Sequence, residues 1–345
     1  MKVDKKRDYK LDLIRVIAFL MIITFHFCAE MGMTDSPFYG YANGGWGSVG
    51  TAIFFLLSGY LMIMVDKDTE VVVYYKKRLM AILPLQIIVF IAFYILHSIR
   101  INNFYYGGSR TKLLLSFLGI DRYLSYYGVQ SYGITGEWFT AMIIAVYLLF
   151  PVLRLLYNKY LVVATVILAT LYFINIFVGI QKVVVPDASI FTAVFLFWCG
   201  MLIFKYAEKW VVNKWTCFVA VIFAAIIILV GLPYYKYQLP YKNLLAICLF
   251  VIFLFFGGLI KYAKPIQKVL MFLSEISFAA YLCHHYIICM AVAKLVDRTP
   301  MKVVLLYLLL LAIIFLSSFI FYMINRFVRI LTKPGEIHKC FHTKK

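Results

Sequence analysis

Three residues of one apolar stretch, Asp12, Arg15 and His26, are of types that could do chemistry together. A helix turns about 100° per residue, so Arg15 and His26 end within about 20° of each other and Asp12 stands about 60° from Arg15. All three share one face. Along the axis Arg15 and His26 are about 16 Å apart at a rise of about 1.5 Å per residue, so one helix carries a cation towards one end and an imidazole towards the other. Asp12 and Arg15 can neutralise each other at i,i+3, and Glu30, one turn beyond His26, is the nearest carboxylate able to orient the ring. Imidazole exchanges a proton near physiological pH, which suits a general base. Snorkelling to a membrane surface would account for Asp12 and in part for Arg15, but poorly for His26; an ionisable group inside an apolar span is a functional candidate. The expectation is that Arg15 and His26 face one shared cavity, joined by a tunnel.

The elements that must position these groups are membrane helices. Of the 345 residues 64% are hydrophobic and 14% charged, against roughly 45–50% and about 25% in soluble domains. A spanning helix needs about 20 largely apolar residues. The chain offers ten such stretches, at 11–29, 47–65, 79–99, 138–156, 160–180, 190–206, 215–233, 242–260, 270–293 and 302–324. The expected fold is all-α and multipass, with a basic segment 1–10, a membrane domain 11–324 and a basic tail 325–345. Most lysines and arginines fall in the segments on the side of the amino terminus, which makes both termini cytoplasmic. A net charge of +19 is thereby explained by loop placement, without a nucleic-acid partner. The first apolar run is too long for a signal peptide and no small-residue cleavage site follows it, so it is expected to remain as a helix.

One connection is long, at about 100–137 on the outer side, and such loops are usually functional. Leu113-Leu-Leu-Ser-Phe-Leu118 is too short to span and fits an interfacial or re-entrant turn. Tyr105, Tyr106, Tyr123, Tyr126, Tyr127 and Tyr132 crowd the segment, as an interfacial belt or as a platform for a sugar. Six of the seven cysteines lie in apolar runs with no C-x-x-C pair, so they read as small fillers, with no disulfide framework and no metal site. No G-x-S-x-G elbow occurs, and Ser58 reads as a helix-packing residue. No inverted repeat is visible, which disfavours that class of transporter.

In order along the chain, several pieces together resemble the membrane-bound acyltransferase-3 family. Leu11-Asp-Leu-Ile-Arg15 with His26 resembles its first helix, and Gly47-Ser-Val-Gly50 through Phe54-Phe-Leu-Leu-Ser-Gly-Tyr60 its second. Lys76-Lys-Arg78 through Ile82-Leu-Pro84 resembles the basic start of its third, Trp138-Phe139 with Tyr147 and Pro151 its fourth, and Ser277 with Tyr281-Leu-Cys-His284 its late Tyr-Leu-x-His. Ala81 stands where the family often has a second arginine, so the donor contacts must differ or be supplied from elsewhere.

The resemblance implies an O-acyltransferase of the bacterial cytoplasmic membrane. It would take an acetyl group from cytosolic acetyl-CoA, with no permanently bound cofactor, and deliver it to a hydroxyl of a polysaccharide or lipid-linked glycan, alongside other proteins of envelope-polysaccharide synthesis. His26 would be the base or a transient acyl carrier, with Glu30 beside it. Arg15, Asp12, Arg78 and Lys77 would serve the donor, guanidinium groups suiting phosphates, and Trp138, Tyr281 and His284 the acceptor cleft. Two other classes fit a multipass chain with aromatic outer loops: an exporter of polysaccharide or glycolipid, and a non-catalytic membrane subunit.

Overall fold

The first helix starts at Asp8, whose carboxylate accepts the Lys10 backbone N–H at 3.3 Å and so satisfies a donor that the first turn leaves open. In this computed structural model the described residues are 7–41, 44–135, 138–181, 183–207, 212–230, 238–293 and 299–331. Residues 1–6 of the basic terminus lie outside them, as do residues 332–345 of the tail, with His338, Cys340 and His342.

The helices are α1 (Tyr9–Glu30), α2 (Trp46–Asp66), α3 (Val71–Ile101), α4 (Leu113–Phe117), α5 (Asp121–Leu124), α6 (Trp138–Lys159), α7 (Leu161–Val178), α8 (Ile190–Tyr206), α9 (Lys214–Val230), α10 (Gln238–Leu259), α11 (Lys264–Val292) and α12 (Pro300–Leu331). Eight of these are long and apolar enough to cross a membrane, and α8 and α9 are apolar helices of 17 residues each. The protein is an all-α multipass membrane protein. Several helices outrun the apolar stretches that mark them: α3 begins at Val71 rather than 79, α11 at Lys264 rather than 270, and α12 runs to Leu331 rather than 324. A hydropathy pattern stops at Lys76–Arg78 or Arg326, whereas the backbone helix continues through them into the interface.

Helix α2 lies between α1 and α8; α11 packs on α1 and α12, and α12 returns to α3. The α2–α8 crossing is close because two glycines face it. A Cβ on Gly59 would lie 1.9 Å from the Phe197 carbonyl oxygen, and one on Gly200 would lie 2.0 Å from that of Leu56. Both obstacles are backbone, so no rotamer change relieves them. Gly59→Ala is expected to cost about 1–3 kcal/mol or more through overpacking, lowering the thermal midpoint of the detergent-solubilised chain. An unchanged midpoint would contradict this contact.

Two prolines interrupt helices that line the site, and each freed carbonyl is capped. Pro151 in α6 cannot bond the Tyr147 carbonyl; the Tyr74 hydroxyl donates to it at 3.0 Å, and that of Tyr75 to Leu148 O at 2.8 Å. Pro84 in α3 leaves the Met80 carbonyl, and Arg329 of α12 donates to it at 2.6 Å, and to Ala81 O at 3.3 Å. A guanidinium from α12 thus stands beside position 81, where the chain itself has alanine.

The long connection turns back into the bundle. Gln86, fully buried in α3, lies about 22 Å along the axis from the Ile101 end. Its Nε2 donates to Ser116 O at 3.1 Å and to Thr135 Oγ1 at 3.2 Å, tying α4 and the end of the connection to one level. Non-helical backbone at such depth must be covered by protein. Here Asp121 supplies acceptors: Oδ2 takes the Ser116 hydroxyl at 2.5 Å and Oδ1 the Arg122 N–H at 2.9 Å. Burial pushes the Asp121 carboxyl up, and these hydrogen bonds oppose the rise. The tyrosines mostly pack the segment onto itself: Tyr132 is fully buried and donates to Gly108 O at 2.6 Å, and Tyr106 donates to Tyr132 O at 2.9 Å.

Candidate active site

Two cavities lie along the face of α1 that carries Arg15 and His26. The first, of about 450 Å³, opens around Arg15 of α1 and Arg78 of α3, with Ser58, Ala81, Tyr147, Ser274 and Tyr281 on its wall. Arg15 is held by its Nη1, which donates to Ser274 Oγ of α11 at 2.6 Å and stands 3.7 Å from Asp12 Oδ1. Asp12 is buried and does not line the cavity; Arg7 grips it through Nε at 2.7 Å and Nη2 at 3.1 Å. Arg78 is anchored by Asp66, the fully buried last residue of α2, and its Nε has no hydrogen-bond partner among the described residues. Lys77, at 3.5 Å from the same carboxylate, is exposed and outside the cavity wall. The outcome is a pocket with two anchored guanidinium groups on its wall.

The second cavity, of about 290 Å³, is built around His26, with Tyr39, Ser48, Trp138, Asp187 and Lys242 on its wall. Tyr39 reaches it because the α1–α2 connection folds into a two-residue antiparallel pair, Gly40–Tyr41 with Gly44–Gly45, stapled by Trp46 Nε1 donating to Pro37 O at 2.8 Å. Tyr39 then stacks on Phe25 with centroids 4.7 Å apart. The aromatic surface of this cavity is therefore Phe25, Tyr39, Trp138, Phe139 and Tyr281. None of the six tyrosines of the long connection lines either cavity.

Phe139 and Tyr281 belong to both walls, their rings 5.3 Å apart. The expected tunnel narrows to this junction, where the two cavities adjoin, and Arg15 and His26 line different ones. Side chains of this size fill what a helical-wheel argument leaves blank, because the wheel gives direction but not what stands opposite.

Around His26 the structure gathers a histidine cluster. The His284 and His285 rings of α11 each lie 5.0 Å from it by centroids. His284 is fully buried; Nδ1 is 2.7 Å from the Tyr281 carbonyl, so Nδ1 carries the hydrogen and Nε2 the lone pair, without a partner among the described residues. Glu30 does not orient His26. Its Oε1 lies 3.5 Å from His285 Nε2, because four residues on from His26 the helix presents Glu30 to α11.

Sequence reasoning missed Asp66, Arg154, Ser274, Asp187 and Lys242. Asp66 had a signal, being the acid that ends an apolar run. Arg154 donates to Asp66 O at 2.8 Å and Thr69 O at 2.6 Å, holding the end of α2 where Arg78 docks. The others are brought in from distant helices by the fold alone.

Two guanidiniums, an imidazole cluster and a pair of abutting cavities within a helical membrane bundle define an arrangement suited to group transfer. The chain matches the family described as acyltransferase domain, acyltransferase 3, over residues 8–323, and it belongs to that family. The protein is a membrane acyltransferase. Comparison with curated proteins and with solved structures gave no match.

Proposed function

We propose that the chain moves an acetyl group from cytosolic acetyl-CoA to a hydroxyl of a polysaccharide or lipid-linked glycan. The bacterial cytoplasmic membrane is its place, with both termini inside, and other proteins of envelope-polysaccharide synthesis are its neighbours. The reading rests on one observation above all: the guanidinium cavity and the imidazole cavity meet at Phe139 and Tyr281. Arg15 and Arg78 suit the phosphates of CoA, since guanidinium forks match phosphate oxygens. The thioester arm then runs along the first cavity, whose volume is in the range of small-molecule sites, and the acyl carbon reaches the junction at Phe139 and Tyr281. In the second cavity Tyr39 and Trp138 offer apolar faces to a sugar ring, and Asp187 and Lys242 offer an acceptor and a donor for its hydroxyls.

His26 takes the proton from the attacking hydroxyl as its oxygen bonds to the thioester carbon. The C–S bond then breaks, the CoA sulfur leaves with the electron pair, and the imidazolium returns the proton to it. The ester and free CoA are the products. Purified chain in liposomes, given acetyl-CoA labelled in the acetyl group and a glycan acceptor, is expected to place label on the glycan as a base-labile ester. Glycan that crosses the bilayer unlabelled would assign the protein to export instead.

A further inference from the structure

Glu30, His285 and Cys289 bring a carboxylate, an imidazole nitrogen and a thiol to one spot beside the His26 cavity. Their ligand atoms all lie within 4.8 Å of one another. His285 and Cys289 are one turn apart on α11 and so share a face; Glu30 is the last residue of α1. The individual separations carry the argument. His285 Nε2 is 3.5 Å from Glu30 Oε1 and 3.8 Å from Cys289 Sγ. A tetrahedral centre with bonds of about 2.0–2.3 Å to N, O and S holds its donors about 3.4–3.6 Å apart. Two edges of that tetrahedron are nearly in place, and a rotation of the exposed Glu30 side chain is enough to set the third.

The local chemistry favours a cation over a plain hydrogen-bond pair. One imidazole nitrogen offers either a hydrogen or a lone pair, yet both the carboxylate and the sulfur converge on the same Nε2. At 3.5 Å the separation between Nε2 and the Glu30 carboxylate is long for an N–H···O bond. A metal ion at the centre satisfies all three as acceptors at once.

We propose that Glu30, His285 and Cys289 form a binding site for one borderline-soft divalent cation of the Zn²⁺ class. A nitrogen, a thiolate sulfur and a carboxylate oxygen select against Mg²⁺ and Ca²⁺, which take oxygen. Three protein ligands leave a fourth position for water, the pattern of an open rather than a closed site. Cys289 gives up its proton on binding. The ion would fasten the end of α1 to α11 where the two helices pack through Phe27, Cys28, Ile288 and Val292. The proposal is independent of the acyl-transfer reading.

The test titrates the full-length detergent-solubilised chain with Co²⁺ under reducing conditions. The background is His338→Ala, Cys340→Ser and His342→Ala, since those tail groups are rival ligands. One equivalent of Co²⁺ is expected to give a thiolate charge-transfer band and the visible bands of a tetrahedral site, displaced by Zn²⁺, with a raised thermal midpoint. Cys289→Ser should abolish the band, and Glu30→Gln should keep it while weakening affinity at least about tenfold, as loss of one charged ligand of three implies. The metal-free midpoints of both variants report whether they fold. Absence of the band, or its survival in Cys289→Ser, would overturn the assignment.

Discussion

His26→Ala lowers acetyl transfer by about 10²- to 10⁴-fold in kcat, the usual worth of a positioned general base, and leaves the thermal midpoint nearly unchanged. The second half of the expectation follows from the contacts. The ring meets Phe25, His284 and His285 at centroid distances of 5.0–5.1 Å and makes no hydrogen bond among the described contacts, so removing it orphans no polar group. A loss of rate is therefore chemical. The neighbouring ring provides the internal control. His284, with its Nε2 lone pair fixed by the Nδ1 contact to Tyr281, is the alternative base, and a fully active His26→Ala together with an inactive His284→Gln would move the role there. Acetyl label retained on the protein when acceptor is withheld would instead make His26 an acyl carrier. Rapid-quench measurement of label on protein and on glycan decides between these outcomes.

How much of this was legible beforehand depends on the range of the interactions concerned. The run of helices follows from local composition, since each span is an apolar stretch of bilayer length, and α8 lies at the residues its hydropathy marks. The Arg15–His26 face follows from helix geometry, which is also local. What stands opposite that face does not. The contact of Phe139 from α6 with Tyr281 from α11 joins segments far apart in the chain, and no periodicity in either announces it. Glu30 shows the same limit: within α1 it is one turn from His26, yet its carboxylate pairs with His285 on another helix. Arg329 beside Ala81 is a third case. Proline chemistry makes the Met80 carbonyl need a donor, but only the packing of α12 on α3 says which residue supplies it.

Arg15→Ala raises the KM for acetyl-CoA by about 10- to 150-fold with little change in kcat, the equivalent of a lost charge-assisted hydrogen bond of about 1.5–3 kcal/mol. Arg15 is the informative position of the two guanidiniums because of what each leaves behind. Removing Arg15 leaves Asp12 with both of its bonds from Arg7, so no buried carboxylate is stranded. Removing Arg78 strips the fully buried Asp66 down to Lys77 and the Thr69 hydroxyl, so part of the about 3–5 kcal/mol that a fully uncompensated buried charge costs is lost. Arg78→Ala should therefore lower the thermal midpoint as well as donor affinity. The donor itself supplies the control for phosphate recognition. Acetyl-pantetheine carries the thioester arm without the phosphates, so wild type and Arg15→Ala should use it equally poorly. A variant that is equally impaired with acetyl-CoA and acetyl-pantetheine would show that Arg15 touches the arm or holds Ser274, since only a contact to phosphate disappears when the phosphate does.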